Sequence, residues 1–160
     1  MKTDSTLAQQ LVREQLPKWA NLPIRPAATS GWDNRTFHLG NHMTIRLPSA
    51  AEYAPQVNKG QYWLSKLAPS LPLAIPTPVA KGEPGCRYPW QWSVYQWTDS
   101  ETAAAERIEY LDRFALSLAD FVIALHMINS VGGPSAGPTI FFAADPLRPM
   151  TQTFGMPLRF

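Results

Sequence analysis

The sequence predicts an α+β fold, an antiparallel sheet accompanied by helices, and three stretches carry that expectation. Residues 36–47 read as two strands around Gly40-Asn41, a hairpin signal because both turn residues tolerate positive φ. Residues 90–97, Trp-Gln-Trp-Ser-Val-Tyr-Gln-Trp, are dense in the aromatic side chains that suit a pleated surface. Residues 107–129 repeat apolar side chains (Ile108, Leu111, Phe114, Leu118, Phe121, Val122, Leu125, Ile128) at the three-to-four spacing of one helix face.

Asp4-Ser5-Thr6 are N-cap types, and Leu7, Leu11, Val12 and Leu16 continue at helical spacing, which predicts a helix over 4–19 closing near Pro17. Leu22–Pro26 reads as an extended piece whose two prolines suit an edge or a loop. The hairpin places Thr36–Leu39 and His42–Leu47 on either side of a two-residue turn, with Pro48 as the stop. Residues 50–68 look helical again, interrupted by Gly60. Alternation over 71–79 fits an extended edge strand, and Lys81–Gly85 a turn. The aromatic strand then runs to Trp97, with Ser100 or Thr102 as a cap for the long helix after it. Gly132-Gly133-Pro134 closes that helix, and residues 135–160 show no clear element.

Composition bounds the rest. A chain of 160 residues can build one domain with its own core. Its 45% hydrophobic and 16% charged residues are a globular balance. The net charge of +2 is spread without runs of like sign, which argues against a nucleic-acid surface. Cys86 has no second cysteine to pair with and no histidine nearby in sequence, so neither metal binding nor nucleophilic catalysis is indicated. Residues 1–6 are polar and lead into no apolar stretch, and no apolar run approaches membrane length. A reducing cytoplasm is the expected compartment.

The residues with chemical promise lie around the hairpin. Arg46 stands between Ile45 and Leu47 and points opposite to both by the period of two. It faces either a cleft or solvent. Ahead of it, Ser30-Gly31-Trp32-Asp33-Asn34 is a small-polar loop able to lie against an anion. A glycine-containing loop, a strand, a turn and a strand carrying a cation describe the nucleotide-covering hairpin of a kinase-type small lobe. For Trp90, Trp92 and Trp97 the competing reading is core packing, expected for at least two of them. His38, His42 and His126 require no special role.

Four passages, in order over roughly residues 5 to 140, resemble the aminoglycoside phosphotransferase family of small-molecule kinases. They are Ser30–Asn34 with Phe37–Gly40, Thr44-Ile-Arg-Leu-Pro48, Tyr88–Trp97, and Leu118–Ile128 with Gly132-Gly133-Pro134. The resemblance implies a protein-kinase-like small lobe over 1–97, a hinge segment and first large-lobe helix over 98–134, and an irregular tail over 135–160. It implies an ATP-dependent transfer of phosphate to a small-molecule hydroxyl, with Mg²⁺ in the intact family. Arg46 would meet the α- and β-phosphates, Gly31, Asp33 and Asn34 would lie over them, and the backbone of Tyr95, Gln96 and Trp97 would meet adenine.

Two departures qualify that expectation. The small-lobe helix usually supplies a Glu to the strand cation, but Gly60 stands at that place and Glu52 lies more than two turns upstream. The His-Gly-Asp catalytic loop and the later metal-binding Asp are not in the sequence, so neither catalytic nor metal residues are assigned. The chain therefore reads as a truncated form limited to nucleotide contact, with an acceptor engaged only if a large lobe is supplied. The alternative is a non-catalytic interaction module using the exposed face of helix 107–129. About three or four large side chains of that helix would stay exposed, each forgoing roughly 1.5–3 kcal/mol of burial, and self-association through them is the associated expectation.

Overall fold

The first helix, α1 (Ser5–Gln15), begins where Asp4 caps it. The Asp4 carboxylate accepts the backbone N–H groups of Thr6 and Leu7, each at 3.1 Å, and such a cap stabilises a helix by about 1 kcal/mol. Leu7, Ala8, Leu11 and Val12 form its buried stripe. The helix is shorter than the predicted 4–19 because Pro17 has no N–H with which to extend the ladder. A single 3-10 turn, Pro17–Trp19, takes over. The computed structural model describes residues 3–28, 31–99 and 103–133.

Five strands form one antiparallel sheet: β1 (Ile24–Pro26), β2 (Asn34–Leu39), β3 (Met43–Pro48), β4 (Pro78–Gly82) and β5 (Trp92–Gln96), in the order β1-β2-β3-β5-β4. The two strands containing prolines 26 and 78 sit at the edges, where a missing N–H costs least. In the hairpin Leu39 pairs with Met43 and Phe37 with Ile45. The connection is therefore Gly40-Asn41-His42, one residue longer than predicted, with Gly40 at a φ of 61°. A two-residue turn would pair Phe37 with Thr44 and mix apolar and polar side chains on each face. The longer loop keeps Phe37, Leu39, Ile45 and Leu47 together. Pro48 is the last residue of β3, opposite Asn34, instead of lying just beyond it.

The predicted edge strand over 71–79 begins only at Pro78. Pro72 and Pro76 cannot donate to a ladder. Lys81 and Gly82, predicted in a turn, belong to β4 and pair with Ser93 and Trp92.

One face of the sheet and α1 enclose the core: Leu7, Leu11 and Val12 pack with Phe37, Leu39, Ile45, Leu47, Tyr88, Trp92 and Val94. The opposite face carries Thr44, Arg46, Ser93 and Tyr95. The second helix, α2 (Pro55–Leu67), covers part of it. Gln61 Nε2 donates to Ser93 Oγ at 3.0 Å and to the Ala80 carbonyl at 2.9 Å, fixing the helix to β4 and β5. The helix predicted from residue 50 starts at Pro55, which suits a first helical position. A 3-10 turn, Ala51–Tyr53, precedes it.

The third helix, α3 (Leu111–Met127), is shorter at both ends than the predicted 107–129; Ile128 is extended. Large apolar side chains are exposed along it, including Leu111, Phe114, Leu116, Leu118, Ile123 and Met127, more than the three or four expected. The predicted caps at Ser100 and Thr102, Pro134 and the tail over 135–160 lie outside the described residues. The chain divides into two units, Met1–Asn129 and Ser130–Phe160. Of the second, residues 130–133 are described, and there the Gly133 N–H donates to the Ser130 carbonyl at 2.8 Å. No helix among the described residues is long and apolar enough to cross a membrane.

Candidate functional site

The polar end of the α2-bearing sheet face opens into a cleft of about 540 Å³, within the size range of small-molecule sites. Its floor comes from the hairpin: Thr36 and His38 on β2 and Arg46 on β3. Thr36 pairs directly with Arg46, so the register sets these side chains next to each other. Gly31, Asp33 and Asn34 form one wall and Trp97 another. The loop wall is held by hydrogen bonds to its backbone: the Ser49 N–H donates to the Asp33 carbonyl at 2.9 Å, and Ser49 Oγ donates to the Trp32 carbonyl at 2.5 Å. The Trp32 side chain is 93% exposed.

Arg46 is half-buried. Its guanidinium carbon lies 5.0 Å from the centroid of the Tyr95 ring. Among the described residues no carboxylate makes an ion pair with it; the salt bridge found there joins Lys81 and Glu83 on the sheet edge. A guanidinium at a cleft, paired by no acid, retains its charge and its fork of donors for an incoming anion.

Trp97 is fixed on three sides. Its backbone N–H donates to the His42 carbonyl at 2.8 Å, its Nε1 donates to Asp99 Oδ1 at 2.6 Å, and its ring meets His38 edge-on at 4.6 Å. The Gln96 N–H donates to the Thr77 carbonyl at 2.8 Å. The donors at 96 and 97 are thus used inside the sheet.

Of the residues singled out in the sequence, the structure brings Gly31, Asp33, Asn34, Arg46 and Trp97 around one cleft. Tyr95 is buried against Arg46, and Gln96 is exposed away from the lining. Sequence reasoning misses Thr36 and His38; the period of two along β2 finds them only once the hairpin register is known. The tryptophans divide as expected: Trp92 is fully buried and Trp90 packs against the core.

A second groove is lined by Gln10, Arg13, Glu14, Cys86 and Arg87. There Cys86 Sγ donates to Glu14 Oε2 at 2.9 Å. That carboxylate, with some burial, raises the thiol pKa, the opposite of what an activated nucleophile needs. Among the described residues no three His, Cys, Asp or Glu side chains cluster as a metal site.

The sequence profile of the phosphotransferase enzyme family matches residues 24–152. No curated protein sequence matches the chain. Among solved structures, the GDP complex of wild-type aminoglycoside 2'-phosphotransferase-IIIa aligns with a TM-score of 0.74 and 18% identity, covering 88% of this chain and 50% of that one. The streptomycin–ATP–APH(2")-IIa ternary complex aligns with a TM-score of 0.54 and 18% identity, over 81% of this chain and 41% of that one. ADP-bound APH(2'')-Ib gives a TM-score of 0.54 and 17% identity, over 79% and 41%. At these identities the likeness concerns the fold: the five-stranded sheet with its helices matches the small lobe of the kinase-like aminoglycoside phosphotransferase structures. The chain spans about half the length of the solved structure first named.

Proposed function

The chain belongs to the phosphotransferase enzyme family, and from that premise we propose that residues 1–97 are the nucleotide-contacting lobe of an ATP-dependent small-molecule phosphotransferase. The observation that carries this reading is Arg46, half-buried at the cleft and paired with no acid among the described residues. It draws the α- and β-phosphates by charge and by its fork of N–H donors. The loop Gly31–Asn34, held by Ser49, lies over the phosphates. The Gln96 and Trp97 N–H groups are already engaged, so the adenine edge draws on the other backbone groups of Tyr95, Gln96 and Trp97 and on the chain just beyond.

The solved relatives carry GDP, ADP or ATP, which favours a nucleotide as the occupant. Mg²⁺, implied for the intact family, would be carried by the nucleotide phosphates and would offset their charge during transfer. Transfer to an acceptor hydroxyl requires carboxylates of a large lobe, and no His-Gly-Asp occurs in these 160 residues. In this reading residues 98–134 are the hinge and the first large-lobe helix. The exposed apolar side chains of α3 are the surface through which a large lobe, or a second copy, docks. The working compartment is the cytoplasm.

Chemical-shift mapping of the ¹⁵N-labelled chain with Mg·ATP tests the site. Perturbations centred on residues 31–38, Arg46 and Trp97 support it. Perturbations centred on the Cys86 groove, with the hairpin silent, overturn it.

A further inference from the structure

The way Arg46 is held departs from the acid–base pairing that kinase-type lobes use. We propose that Tyr95 is its positioning residue: the ring face, in place of a helix carboxylate, fixes the guanidinium in the cleft, and Gly60 provides the room for the ring. This rests on the nucleotide reading of the cleft and adds to it the device that orients its cation.

Three observations carry the assignment. First, the strand register brings the pair together. Arg46 pairs with Ser93 and Thr44 with Tyr95, so Arg46 and Tyr95 are diagonal neighbours on one sheet face. Their separation, 5.0 Å from guanidinium carbon to ring centroid, is a cation–π contact. Second, the ring is itself held, because Tyr95 is 5% exposed beneath α2. Third, α2 meets the tyrosine at Gly60. A Cβ there would stand 2.7 Å from the Tyr95 hydroxyl oxygen, but 3.8 Å from Cζ. A glutamate at this position would collide with the hydroxyl, so the helix carboxylate and this tyrosine pose exclude each other. The two devices also differ chemically. A carboxylate neutralises a guanidinium and takes up two of its N–H donors, whereas a ring face orients the cation and leaves its donors to the phosphates.

The test is Mg·ATP affinity by calorimetric titration, with circular dichroism as the check on folding. Tyr95→Leu is expected to bind about fivefold more weakly than wild type. The same change made on an Arg46→Ala background is expected to have no further effect, which a merely structural role of the tyrosine would not produce. Gly60→Ala is expected to weaken binding, and Gly60→Ala combined with Tyr95→Phe to recover it, since the hydroxyl that collides is gone. Wild-type binding that survives Tyr95→Leu, or a loss of equal size with and without Arg46, overturns the assignment alone. Failure of the wild type to bind overturns the nucleotide reading of the cleft and the assignment with it.

Discussion

The Trp92 indole occupies the volume that a side chain at residue 82 would take. A Cβ built on Gly82 would lie 1.9 Å from Trp92 Cε2, and the indole Nε1 donates to the Glu83 carbonyl at 3.1 Å just beyond. Trp92 is fully buried, so the ring has nowhere to retreat. Gly82→Ala is expected to cost about 2 kcal/mol or more through overpacking. Urea unfolding monitored by tryptophan fluorescence measures it as a lower midpoint with an unchanged slope.

Tyr88 ties the end of β3 to the turn after β4. Its hydroxyl donates to the Pro48 carbonyl at 2.7 Å in the buried core, and burial pushes its pKa well above the ordinary tyrosine range. Tyr88→Phe leaves that carbonyl without its donor, a cost of about 1–3 kcal/mol. Thermal unfolding of the variant at neutral pH should show the loss, with no ionisation of Tyr88 to confuse it.

Cys86 gives a prediction that depends on pH. The hydrogen bond to Glu14 favours the protonated thiol. The thiolate fraction at neutral pH is thereby reduced, so alkylation by iodoacetamide should be slower than for an ordinary cysteine. Its pH–rate profile should be displaced to higher pH. Glu14→Gln removes the negative charge and should move the profile back down. Coincident profiles would mean that the Glu14 contact does not govern the thiol.

Much of the small lobe is legible in the sequence because its signals are local. Asp4 caps α1, Gly40 makes the hairpin turn, and Val94 with its aromatic neighbours makes a strand. The β4 boundary is not legible, because Gly82 enters the strand by pairing with Trp92, whose indole fills the space beside it. The hairpin register differs by one residue for a related reason: it is the burial of Phe37 and Ile45 together, not the turn residues, that selects the three-residue loop. Five of the seven candidate site residues surround the cleft since they sit on the loop, the cation strand and the strand exit that local patterns mark. The Tyr95 contact to Arg46 requires the β3–β5 pairing and the seating of α2, which no local pattern contains.

We take Arg46 to be the phosphate-directed cation of a nucleotide site, a claim that isothermal titration of Mg·ATP into wild type and Arg46→Ala can decide. Measurable binding by the wild type is expected, weakening by about tenfold or more in Arg46→Ala, the worth of a charge-assisted contact. The affinity that remains in the variant should depend less on salt. Equal binding by the two folded proteins, or none by the wild type, would contradict the claim.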